Sequence, residues 1–376
     1  MKFNVPCKAF YSAVSAASKV INQKNALAIL DNFLLVVEGD TLTVTGADIE
    51  NSLSARVALA DHEGEGRFCV PARRLVDLLK ELPDQGISVR VDEETLGIEI
   101  EYTGGKYNLT AISGQEYPKI DTEKEGGEPV EFEINSSCLL KGLEYTVFAV
   151  GDDDYRPMLK GVFLDIKPES MSFVATDTHK LVRYIDNRVK SGVAANCILP
   201  VKPAQILRSV FGKDATLKVT MTDKNATFES DSFMLNCSFL NGRFPDYNRV
   251  IPTASPFRLT TDRLAMLNAV RRVGVFVDPG YGLEKFRITP EQVFIKSDDS
   301  SYGTCARETV PCSFNGPEMV IGFSAPFLIE FMSTLPTEEI YIDLADPSRA
   351  GVFCPSENEE GTDLVMLLMP MNVDKF

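Results

Sequence analysis

The chain has 376 residues, of which 44% are hydrophobic and 24% charged, an ordinary globular composition. The length exceeds the roughly 100–200 residues of one domain and predicts two or three. Disorder, a collagen-like fibre and a helical membrane protein are excluded, because apolar runs such as 33–37 and 365–371 are too short to span a bilayer. A net charge of −16, taken alone, argues against a nucleic-acid partner.

The first twenty residues carry Lys2 and small side chains, as a leader peptide would, but Lys8 and Lys19 interrupt them. Their apolar spacing is that of an amphipathic helix, and they read as part of the fold. This first helix is predicted over 7–20. Strands come next over 32–37 and 41–45 around the turn Glu38-Gly39-Asp40, then a second, shorter helix over 72–81 and further strands. The pattern then recurs. A helix is predicted over 134–150, with Asn135 as a cap, and a short one over 202–211. A third round places a helix over 259–276, capped within Thr260-Thr261-Asp262, and a short one over 325–335. Polar stretches at 123–129 and 252–256 mark boundaries, giving domains 1–124, 125–252 and 253–376.

Specific residues carry the repeat. Pro71, ahead of Ala72-Arg73-Arg74, aligns with Pro200 at an offset of 129, and Asp48 aligns with Asp177 at the same offset. Tyr117-Pro118 matches Phe244-Pro245, and Met369-Pro370 lies 125 residues further on. Ser297-Asp298 and Ser324-Ala325-Pro326 continue the series. Offsets that hold near 125 across the chain make it a tandem of three related α+β domains.

The repeat also relocates the charge. Counted over 7–20, 71–81, 134–150, 201–213, 259–276 and 324–336, the six predicted helices and their immediate flanks hold twelve Lys and Arg against five acids, so an acidic chain carries net positive helices. Helices gathered on one surface would offer a face suited to phosphate. Lys and Arg are also ordinary on solvated helix surfaces, and composition leaves both readings open.

Cysteines stand at 7, 69, 138, 197, 237, 305, 312 and 354 with no Cys-x-x-Cys pair. This predicts reduced, mostly buried thiols of a cytoplasmic protein, without disulfides or a zinc site. His62 and His179 are too few for histidine-rich metal chemistry. The acids Asp152, Asp153 and Asp154 read as a solvated loop. Asp177 and His179, two apart on a predicted strand, share a face with no nucleophile beside them. No phosphate-binding glycine loop occurs, so no cofactor, metal or catalytic residue is expected.

The segments 24–32, Thr176-Asp177-Thr178-His179-Lys180-Leu181, 242–252 and Met369-Pro370-Met371, set in the triplicate frame, resemble the beta subunit of bacterial DNA polymerase III, the sliding clamps, over essentially the whole length. The resemblance implies a DNA clamp fold: three similar domains per subunit, helices inside, antiparallel sheets outside, and a head-to-tail homodimeric ring. Geometry agrees with two subunits. Six helices about 10 Å apart close on a bore of about 9 Å, whereas twelve leave about 28 Å, enough for a duplex about 20 Å wide.

The same resemblance implies a non-catalytic processivity factor that binds double-stranded DNA without reading sequence. It also implies the site residues. Lys24 stands where a basic residue contacts DNA, with Lys in place of arginine. Arg73, Arg74, Lys80, Lys141, Lys202, Arg208 and Arg271 would complete the DNA-facing set. The polymerase III alpha subunit, the clamp loader and other proteins with a clamp-binding motif would insert a short peptide into an apolar pocket. Its residues would be Leu159, Thr176, His179, Lys180, Leu181, Pro245, Arg249, Val250, Leu367, Met369, Pro370 and Met371. Thr178 replaces a frequent glycine, Lys180 a frequent arginine and Asn372 a frequent base. Tyr107 and Leu109 of one subunit would meet Val275 and Phe276 of the other. A partner-binding scaffold without DNA is the competing class, and retention on circular DNA separates the two.

Overall fold

Alternation of apolar and polar residues makes strand the dominant element, and the strands pair into sheets of five, nine, nine and four members, with antiparallel ladders throughout those described. This is a computed structural model, and it describes residues 1–118, 127–252, 254–278, 280, 282–299, 302–373 and 376. The first predicted boundary, 123–129, lies largely outside them.

Six α-helices occur among the described residues: α1 Cys7–Ala17, α2 Ala72–Glu81, α3 Ser136–Thr146, α4 Val201–Val210, α5 Arg263–Val273 and α6 Ala325–Thr334. The shorter helix of each domain falls within a residue of its predicted span. The longer ones do not. α1 starts at Cys7 as predicted but stops at Ala17, short of residue 20, whereas the predicted starts of α3 and α5 fall in the preceding strands Val130–Asn135 and Phe257–Asp262, which periodicity alone merged with the helix. Leu259, predicted helical, therefore pairs with Ile342 in a sheet. The predicted caps act at the observed starts. Asp262 accepts from the Ala265 amide at 2.6 Å, and Asn135 accepts from the Ser137 amide at 2.8 Å. The C-terminal turns of α3 and α5 tighten into 3-10 helices, Val147–Ala149 and Gly274–Phe276.

By internal contact the chain forms two units, Met1–Leu140 with Leu199–Leu240, and Lys141–Ile198 with Asn241–Phe376. The central third is shared between them. In the first unit its strand Phe233–Ser238 pairs with Asn51–Ala58, Leu235 opposite Leu53, so one nine-stranded sheet runs through. In the second unit its strand Lys180–Asp186 pairs with Thr362–Leu368, Val182 opposite Met366, building the other nine-stranded sheet. A continuous ladder leaves no unpaired edge where the repeats join.

Each unit has its own core. In the first, Phe3, Phe10, Phe33, Leu42 and Leu75 are essentially inaccessible. There α1 lies so close to the strand Thr41–Ala47 that a Cβ on Gly46 would sit 2.3 Å from the Ala17 carbonyl oxygen, and only glycine admits that contact. In the second, Phe331 and Phe353 are fully buried and meet edge to face at 5.5 Å. The eight cysteines are thiols, buried or half-buried except for exposed Cys305. No helix among the described residues is long and apolar enough to cross a membrane.

Candidate nucleic-acid and peptide-binding surfaces

The basic residues separate by what they touch. On α2, Ala72, Leu75 and Leu79 are buried at 3–4 spacing, which turns Arg73, Arg74 and Lys80 to solvent. Arg208 on α4 and Lys24, in the irregular segment after α1, are exposed as well. Arg271 is exposed, with one guanidinium contact to the Ser333 hydroxyl at 3.2 Å.

Two members of the predicted DNA-facing set are already engaged. Lys202 Nζ donates to Asp48 Oδ2 and Asn22 Oδ1, each at 2.6 Å, and to the Val20 carbonyl. Asp48 is buried in the turn after the strand Thr41–Ala47, so Lys202 serves as the counter-ion of an internal carboxylate. Lys141 of α3 pairs with Glu359. Arg272, one of the twelve helix bases, makes a two-pronged pair with Glu308 at 2.6 and 2.7 Å.

The candidate pocket residues all lie in the second unit. Leu159, Leu181 and Leu367 are buried, whereas Pro245, Arg249, Val250 and Met369 are exposed and Thr176, Pro370 and Met371 half-buried. Arg249 ion-pairs with Asp246 at 2.9 Å. The turn Asp177-Thr178-His179 joins two strands, so Asp177 and His179 are not on a strand as the alternation suggested. The Asp177 carboxylate accepts from the amides of His179 and Lys180 at 2.9 and 2.8 Å. Thr176 Oγ1 donates to the Lys180 carbonyl at 2.7 Å and accepts from the Thr178 amide. Thr178 itself sits at φ +80°, which explains why glycine suits this position.

The terminal segment docks on this turn. The Met369 amide donates to the His179 carbonyl, and the Met371 amide to the Gly322 carbonyl, both at 2.8 Å. Beside it lies a cavity of 310 Å³ lined by Val320, Gly322, Pro347, Ser348, Pro370 and Met371. Of the predicted pocket residues, Pro370 and Met371 are the two that line it; Val320, on the strand Met319–Ser324, and Pro347 and Ser348, on a loop, belong to no motif that marks them as lining residues. Lys180, placed at the pocket rim, is instead buried at 5% exposure. Its ammonium lies 2.7 Å from Glu330 Oε2 and 4.1 Å above the Phe327 ring, because a stem entering an apolar layer needs a carboxylate and a π face to hold its charge.

For the candidate interface, Tyr107 and Leu109 are half-buried on the strand Gly105–Thr110, which ends the five-stranded sheet. Val275 and Phe276 belong to the 3-10 turn after α5, not to the helix, and are 77% and 41% exposed. The strand Thr304–Pro311 ends the four-stranded sheet. Asp153, in the acidic loop, accepts from the Tyr155 amide and Arg156, while Lys160 pairs with Asp152 and Asp154. No group of metal-ligating side chains occurs among the described residues.

These features, a triplicate α+β chain with sheets continuous across its repeats, define a protein of the DNA clamp class. Family profiles for the DNA polymerase III beta subunit match in chain order: the N-terminal domain over 1–121, the central domain over 133–246 and the C-terminal domain over 248–372. The beta sliding clamp of Pseudomonas aeruginosa is 27% identical over 97% of this chain and 99% of its own length. That of Escherichia coli K12 is 26% identical over 99% and 100%. A crystal structure of the P. aeruginosa clamp bound to griselimycin superposes with a TM-score of 0.92, at 26% identity and over 99% and 100% of the two chains. The chain belongs to the DNA polymerase III beta subunit family, the non-catalytic sliding clamps of bacteria.

Proposed function

We propose that two copies of the chain close head to tail around duplex DNA and tether the polymerase III alpha subunit, the clamp loader and other motif-bearing proteins through the pocket at Met369-Pro370-Met371. The observation that carries this reading is the end-to-end match of all three domains to sliding clamps. The free sheet edges at Gly105–Thr110 and Thr304–Pro311 supply strands that can pair between subunits, with Tyr107, Leu109, Val275 and Phe276 as an apolar centre. Exposed Lys24, Arg73, Arg74, Lys80, Arg208 and Arg271 supply a phosphate-directed contact that does not read bases.

The deciding experiment loads the protein onto nicked circular DNA and then linearises it. A clamp stays on the circle and runs off the linear form, whereas a scaffold stays on neither. The solution mass should be that of a dimer. Leu109→Asp with Phe276→Asp should yield a folded monomer, and a dimer that survives both changes rules out this contact surface.

A further inference from the structure

Glu359 sits between two cations. Its Oε1 accepts from Arg188 Nη1 at 2.6 Å, and its Oε2 from Lys141 Nζ of α3. Arg188 is fixed from behind by Asp186, a fully buried carboxylate that takes its Nε and Nη2 at 2.9 and 2.7 Å. The two donors therefore converge on one oxyanion position that the protein fills with its own carboxylate. Glu359 and Lys141 line a cavity of 240 Å³ together with Tyr145, Tyr184, Thr337 and a second acid, Glu357. The loop backbone around Glu359 is anchored, since the Thr362 amide donates to its carbonyl at 2.9 Å and the Asn187 amide to the Gly361 carbonyl at 2.8 Å. The Glu359 side chain, by contrast, is 47% exposed, so it can leave by side-chain rotation alone.

We propose that Lys141 and Arg188 form a phosphate site for the DNA backbone, and that Glu359 occupies it as an intramolecular competitor that weakens the clamp's grip. This rests on the sliding-clamp reading. A carboxylate and a phosphate diester each present two anionic or polar oxygens to an ammonium–guanidinium pair, so one can replace the other. While the carboxylate is in place the pair contributes little to phosphate binding. Because Asp186 still balances Arg188, removal of the Glu359 carboxylate leaves one net positive charge and one phosphate position, which steepens the salt dependence.

The test measures anisotropy of a labelled linear duplex at low salt, which needs no topological loading. Glu359→Gln should bind several-fold more tightly than the unmodified protein, with a slope of log K against log salt steeper by about one. Adding Lys141→Gln to Glu359→Gln, which leaves the Arg188–Asp186 pair in place, should bring both quantities back towards the starting values. Equal affinity and slope for Glu359→Gln and the unmodified protein, with the dimer intact, overturn the proposal. So does a gain that persists in the double variant. Retention on nicked circles, measured on the unmodified protein, tests the clamp reading separately.

Discussion

Lys202 and Asp48, 154 residues apart, form an ion pair at 2.6 Å in which the carboxylate is only 6% exposed. Both lie in the first unit, one opening α4 and the other closing the turn after the strand Thr41–Ala47. A buried carboxylate that loses its cation keeps its desolvation cost without the attraction that offset it. Lys202→Gln should therefore destabilise the first unit by about 1–3 kcal/mol, read from denaturant unfolding. Reversal of Arg73 with Lys80 to Glu, on the exposed face of α2, should leave unfolding unchanged and weaken duplex binding most at low salt. If Lys202→Gln unfolds like the unmodified protein, the pair is a surface contact of no consequence.

Thr178 offers a second prediction, this one stabilising. A β-branched residue at φ +80° carries backbone strain, and glycine removes it at some cost in unfolded-chain entropy. Thr178→Gly should raise stability by about 1 kcal/mol, while Thr178→Ala should gain far less. Thermal melts of the three proteins separate these outcomes. Equal melting temperatures would show that the turn relaxes without strain.

The pocket is best tested without truncation, because removing Met371 also removes its backbone bond to Gly322. Met369→Ala with Met371→Ala keeps that bond. Met369 is 44% exposed, so its loss leaves no core cavity. A clamp-binding peptide should lose about 2 kcal/mol, roughly thirtyfold in Kd, by fluorescence polarisation. The variant should remain dimeric and still be retained on nicked circles. Unchanged peptide affinity would falsify the assignment of this segment to the pocket.

Glu284 gives the stability of the second unit a pH dependence. Its side chain is fully buried, and neither carboxyl oxygen has a hydrogen-bond partner among the described residues. Burial, reinforced by the charge of nearby Glu308, pushes its pKa up to about 8. The folded chain thus holds this proton more tightly than the unfolded chain does. The contribution to stability is complete below the ordinary carboxylate range and is lost as pH rises to about 8. Melting temperature should fall between about pH 4.5 and 8 and level off above that, and Glu284→Gln should flatten that fall. A variant whose profile parallels the unmodified protein would assign the dependence elsewhere.

Residue order alone establishes the repeat, because the offsets from Asp48 to Asp177 and from Pro71 to Pro200 need no coordinates. It also defines the shorter helices, where a proline or serine stop and an amphipathic face mark α2, α4 and α6. Asp262 and Asn135 were legible as caps for the same local reason. The fate of each charge was not legible. Lys80, Lys141, Lys180 and Lys202 look alike in sequence, yet Lys80 faces water while the others meet Glu359, Glu330 and Asp48 from residues 150 to 218 positions away. Nor could residue order show that the central third belongs to two sheets, since strand partners such as Leu235 with Leu53 and Val182 with Met366 are set by long-range ladder register. Local periodicity arises from neighbours along the chain. The pairing of a cation with a carboxylate, or of one edge strand with another, is decided only when distant segments are brought together and each buried charge must find its partner.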